Sequence, residues 1–119
     1  MKLEITGIHF AVSDKLEAYI QKKIGGLDKY VSRAGRETLR AEVRLKEGKS
    51  SDKKEYTCEV TVFLPQETID AKDSTVNMFA AVDIVETKLK TQLKKYKDTH
   101  GSPKLRQRLT NRFRRREAV

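Results

Sequence analysis

Residues 38–46 read Thr-Leu-Arg-Ala-Glu-Val-Arg-Leu-Lys, and residues 54–64 read Lys-Glu-Tyr-Thr-Cys-Glu-Val-Thr-Val-Phe-Leu. Both alternate with a period of two. Leu39, Ala41, Val43 and Leu45 fall on one face, with Arg40, Glu42, Arg44 and Lys46 on the other. Tyr56, Cys58, Val60, Val62 and Leu64 make a second apolar row opposite Thr57, Glu59 and Thr61. Successive side chains of a strand point to opposite faces, so each segment predicts a strand with one dry and one wet side. Pro65 stops the second strand. Gly48 to Lys53 is a polar connection that suits a hairpin, longer than a tight turn. A weaker strand follows at 67–73, with Ile69 and Ala71 inward.

Outward from this pair, residues 2–8 alternate as a further strand. Ser13 or Asp14 caps a helix, and Asp14 with Glu17 has capping-box spacing. Leu16, Ile20, Leu27 and Val31 recur at helical intervals, which predicts a helix over 14–31. Gly25 and Gly26 each cost a helix roughly 1 kcal/mol relative to alanine, so a bend is expected there. Met78, Val82, Val85, Leu89, Leu93 and Tyr96 form one stripe of a second helix over 76–97, ended by Gly101-Ser102-Pro103. The order β-α-β-β-β-α predicts an α+β fold: a two-layer sandwich of a four-stranded sheet with two helices on one face. Residues 1–97 make one domain. Residues 98–119 read as a basic, disordered tail or the start of a linker.

Charge narrows the function. The chain carries 26 Lys and Arg against 17 Asp and Glu, a formal net charge of +9, which favours a polyanionic partner. Lys88, Lys90, Lys94, Lys95 and Lys97 flank the apolar stripe of the second helix with no acidic residue between them. Lysines suit the negative end of a helix, but five unpaired ammonium groups in ten residues call for an anion. Lys15, Lys22, Lys23 and Lys29 on the first helix, with Arg33 and Arg36 beyond it, border a common groove if both helices share one sheet face. Such contacts hold phosphates without reading bases. Tyr30 and Phe63 are candidates for base stacking or for packing. The tail adds Arg112, Arg114, Arg115 and Arg116, with Leu105, Leu109 and Phe113 at four-residue spacing for an amphipathic helix on a partner.

Catalytic signals are lacking. The two histidines, His9 and His100, and the single cysteine, Cys58, make no zinc cluster, and no phosphate-binding loop or nucleophile elbow is found. Cys58 sits on the inward row and reads as core. Asp83 reads as a cap or ion-pair residue rather than a general base. No metal, cofactor or small-molecule substrate is expected. One cysteine fits a reducing cytoplasm, and the first residues are read as neither signal peptide nor membrane span.

Three segments carry a resemblance. Lys23-Ile24-Gly25-Gly26-Leu27-Asp28-Lys29-Tyr30 resembles the K-I-x-K-L-(E/D)-K-Y segment of ribosome hibernation promoting factors. Asn77 to Asp83 is similar to their D-M-Y-A-A-I-D, and Lys88 to Lys97 to their K-L-E-R-Q-L-(R/K)-K-x-K. The resemblance implies a layout like that of double-stranded RNA-binding domains. It implies binding to the small ribosomal subunit in the tRNA and mRNA channel, over the A and P sites, with translation inhibited under stress or in stationary phase. It implies RNA contacts at Lys23, Lys29, Lys88, Lys94, Lys95 and Lys97. Gly26 and Thr91 depart from the pattern where the family has lysine and arginine, and Asn77 and Phe79 replace Asp and Tyr. Long members continue through a linker into a second domain that pairs ribosomes, so the chain reads either as a short form or as such an N-terminal domain. Two other readings compete: a general double-stranded RNA-binding module or RNA chaperone, and an interaction protein whose tail docks on an acidic partner.

Overall fold

The structure, a computed structural model, describes residues 1–31, 36 and 38–100. It has strands β1 (Lys2–Ile8), β2 (Arg40–Ser50), β3 (Lys53–Phe63) and β4 (Thr68–Thr75), and helices α1 (Asp14–Lys23) and α2 (Met78–His100). The sheet order is β1-β2-β3-β4, with β1 parallel to β2 and the other pairs antiparallel. A parallel pair needs a crossover, which α1 supplies. The inward rows of the strands and the apolar stripes of both helices meet in one core, so the two-layer α+β sandwich is the observed fold. Ile20, Val43, Val60, Val85 and Leu89 are fully buried. Each such side chain contributes about 2 kcal/mol of apolar burial. Cys58 lies among them, and burial pushes its thiol up to about 12.

Three details differ from expectation. The helix over 14–31 is two elements: α1 ends at Lys23, and a 3-10 segment runs from Gly25 to Tyr30. The tighter winding, three residues per turn, keeps Ile24 and Leu27 on the core side while the glycines leave the α-helix. The cap is Ser13, whose Oγ accepts from the Leu16 amide at 3.1 Å. Leu16 therefore stands where a capping box needs Glu or Gln, so the Asp14–Glu17 spacing makes no box. Replacing Ser13 with alanine is expected to lower stability by about 1 kcal/mol in a denaturant titration; an unchanged midpoint would deny the cap its role.

The hairpin is the third difference. β2 continues to Ser50 and β3 begins at Lys53, leaving a two-residue turn where a longer connection was expected. Ser51 and Asp52 have φ of 51° and 68°, the positive values a type I′ turn requires at both central positions. The usual Asn-Gly or Asp-Gly signal is absent, which is why the sequence hides the turn. Left-handed backbone costs a non-glycine residue about 1–2 kcal/mol. The double substitution Ser51→Asn, Asp52→Gly is expected to stabilise the fold by roughly 1 kcal/mol, read as a higher melting temperature.

Candidate nucleic-acid interface

The two helices run side by side in the same direction. Tyr19 packs edge-on against Phe79, with ring centroids 5.2 Å apart, and its hydroxyl donates to Asp83 Oδ1. Further along, the Lys90 ammonium lies 5.9 Å from the centre of the Tyr30 ring. Rising numbers on one helix meet rising numbers on the other, so both helix C-terminal ends point to one end of the molecule. Carboxylates gather at the opposite end, with Asp14 and Glu17 in the first turn of α1 and Asp83 in the second turn of α2. The Asp83 hydrogen bond, with burial and nearby negative charge, pushes the Tyr19 phenol up to about 12. Among the described residues Asp83 holds no ion pair, and it stands past the first turn of α2, so it is no cap; it latches the helices together through Tyr19.

At the basic end, Lys22, Lys23, Gly26, Leu27, Lys29, Tyr30, Glu86 and Lys90 line one shallow groove between α1, the 3-10 segment and α2. Lys23 lies 5.7 Å from the centre of the Tyr19 ring and Lys29 5.4 Å from that of Tyr30. Among the described residues, none of the four groove lysines holds an ion pair. By helical angle, Lys94 and Lys97 continue the same border of α2, about 40° and 20° from Lys90. The negative end of α1 adds a favourable field for Lys22 and Lys23 in its last turn, and that of α2 for Lys97.

The other border of α2 is different. Lys88 donates to the Lys72 carbonyl at 3.1 Å and pairs with Asp73 at 3.5 Å. Five unpaired lysines were expected on α2; Lys88 is not one, because Asp73 near the end of β4 faces it across the layers. Gln92 donates to the Asp70 carbonyl at 2.7 Å, so Lys88 and Gln92 together tie the helix to the edge strand. Lys95 lines a separate surface hollow with Glu67, Asp70 and Thr99. Arg36 Nε donates to the Asp28 and Val31 carbonyls, both at 3.0 Å, which gives its guanidinium a structural task. Arg33, Arg112, Arg114, Arg115 and Arg116 lie outside the described residues.

The open face of the sheet is nearly balanced in charge. Its outward rows hold six cations, Lys2, Arg40, Arg44, Lys46, Lys53 and Lys72, against five anions, Glu4, Glu42, Glu55, Glu59 and Asp70. Arg44 is locked by Glu59 at 2.7 Å, Glu42 at 3.0 Å and the Thr61 hydroxyl at 2.9 Å. Phe63 is half-buried under the Arg40 guanidinium, 4.5 Å away, so its ring face is already covered. What sets the helix layer apart is that four lysines without ion pairs among the described residues, Lys22, Lys23, Lys29 and Lys90, share one groove. The sequence named Lys22, Lys23, Lys29 and Lys90 for this groove. It missed Glu86 and the Tyr19–Asp83 latch, since parallel packing of the helices leaves no mark in their separate periodicities. Among the described residues, no group of His, Cys, Asp and Glu is placed to hold a metal, and no helix is long and apolar enough to cross a membrane.

Comparison with known proteins agrees with this layout. Residues 3–101 match the family model described as Sigma 54 modulation protein / S30EA ribosomal protein. The chain is 37% identical over 97 residues to a ribosome hibernation promotion factor of Lactococcus lactis subsp. cremoris (strain MG1363), covering 82% of this chain and 50% of that protein. Identity to a ribosome hibernation promotion factor of Staphylococcus aureus (strain COL) is 32%, over 82% of this chain and 48% of the relative. The chain thus spans about half the length of these curated relatives. Among solved structures, the Thermus thermophilus Protein Y N-terminal domain superposes with a TM-score of 0.68 at 26% identity, covering 81% of this chain and 99% of that one. A ribosomal subunit interface protein from Coxiella burnetii gives 0.66 at 28%, covering 82% and 98%.

Proposed function

The chain belongs to the Sigma 54 modulation protein / S30EA ribosomal protein family, and from that premise we propose that it is a ribosome hibernation factor that binds the small ribosomal subunit in the tRNA and mRNA channel. Bound there, it inhibits translation by occupying space, under stress or in stationary phase. It works in the cytoplasm as a binding protein without catalysis or cofactor. The names of the curated relatives support the hibernation reading. The observation that carries the mode of binding is the uneven charge of the two layers. The sheet face is nearly balanced in charge, while Lys22, Lys29, Lys90 and Lys94 stand exposed along one border of the helix layer, without ion pairs among the described residues. Exposed cations along two parallel helices suit the phosphates of a folded RNA, whose shape they track without reading sequence. Lys95, Lys97, and the arginines of the tail extend that footprint; Lys88 contributes through its remaining donor hydrogens.

Sedimentation with separated ribosomal subunits tests the proposal. The protein is expected to travel with the small subunit, and an excess of perfect RNA duplex is expected to leave it there. Equal partition between both subunits, or complete displacement by duplex, would favour a general double-stranded RNA-binding module instead. Removing residues 98–119 is expected to preserve most of the binding; its loss would shift the weight to the tail and an acidic partner.

A further inference from the structure

Among the described residues, Glu86 has no ion-pair partner in a groove lined by cations. Among the described residues it is the one carboxylate lining the groove beside Lys22, Lys23, Lys29 and Lys90, it is half-buried, and it holds no ion pair. Lys90 stands four residues on, the spacing at which a Glu–Lys pair forms along a helix. Its ammonium is instead turned to the Tyr30 ring, 5.9 Å away. A carboxylate left free in a site for phosphates weakens phosphate binding unless it receives a donor from the same ligand. In RNA the neutral donors are the edges of bases and the 2′-hydroxyl.

We infer that this groove takes one unpaired guanosine of its RNA, with Glu86 accepting from the base. Guanine alone among the four bases offers two adjacent donors, the ring N1–H and the exocyclic N2 amino group, to the two oxygens of a carboxylate. A charge-assisted, two-bond contact of that kind is the strong one. The four ammonium groups hold the flanking phosphates, and Tyr30 forms the wall beside the base. Gly26 leaves the entrance clear, since a Cβ built there meets nothing within 4 Å. A perfect duplex hides the guanine N1 edge in its base pair, so the contact also explains how a basic groove distinguishes a looped RNA from a plain helix. The inference rests on the RNA-binding reading and narrows it.

The test uses the full chain and end-labelled hexamers of uridine carrying one central guanosine, one inosine or none, followed by fluorescence anisotropy. Guanosine is expected to bind about tenfold tighter than the all-uridine strand. Inosine, which lacks the N2 amino group, falls between them. In Glu86→Gln, the preference is expected to shrink to within about twofold, while all-uridine binding strengthens because an anion has left the phosphate site. Equal affinities in the natural protein, or a guanosine preference that survives Glu86→Gln, overturn the inference. So does the absence of hexamer binding alongside retained sedimentation with the small subunit. Loss of both hexamer and subunit binding removes the ribosomal reading itself, and this inference with it.

Discussion

Reversing Lys22, Lys29 and Lys90 to glutamate together is expected to weaken small-subunit binding by at least a hundredfold. All three are exposed, line one groove and hold no ion pair among the described residues. One lysine–phosphate contact at about 150 mM salt is worth about fivefold in affinity through released counterions. Losing three gives roughly a hundredfold. The three new carboxylates join Glu86 and repel phosphate further. Folding is expected to persist, because no core atom moves and surface substitutions usually stay within about 0.5 kcal/mol. The control carries the same change in net charge elsewhere: Lys2, Lys46 and Lys49 to glutamate, on the open sheet and its hairpin. That variant is expected to bind within a few fold of the natural protein. Equal losses in both triple variants would mean that total charge, and not its placement, governs binding.

Gly7→Ala is expected to destabilise the fold by roughly 3 kcal/mol, near the upper end for overpacking. A Cβ at Gly7 would lie 2.0 Å from the Phe10 carbonyl oxygen and 3.1 Å from its carbon. The obstacle is backbone, so no side chain can swing aside. The chain folds back there because His9, with φ of 54°, reverses its course after β1. That reversal sends residues 10–13 toward the start of α1 and seats Phe10 against Tyr56, their ring centroids 6.0 Å apart. The melting temperature is expected to fall by about 10–20 °C for a domain of this size. Gly48→Ala, where a Cβ meets nothing within 4 Å, is the matched control and is expected to change little. A Gly7→Ala protein that melts with the natural one would refute the close approach.

Much of this architecture is legible in residue order alone. Strands such as 39–45 declare themselves because one sheet face is dry and the other wet. The stripe from Met78 to Tyr96 declares α2 because every member is buried. What stays hidden depends on neighbours distant in the chain. Lys88 looks free until Asp73 is seen beside it. Phe63 looks exposed until Arg40, its partner across β2 and β3, covers it. The turn at Ser51 and Asp52 is set by strand register, and its residue types give no warning. The groove itself was half legible: its lysines were named from spacing, but only the parallel course of α1 and α2 brings them to one end and leaves Glu86 among them.

The dependence of small-subunit affinity on salt tests the central claim most directly. If the lysines along α1 and α2 seat on RNA phosphates, log affinity falls linearly with log salt, and six to ten contacts lose roughly a thousandfold or more between 50 and 200 mM. The Lys22, Lys29, Lys90 triple reversal should flatten that slope by about three contacts. Affinity that barely changes across the same range would contradict the account, because attachment would then not run through these ammonium groups.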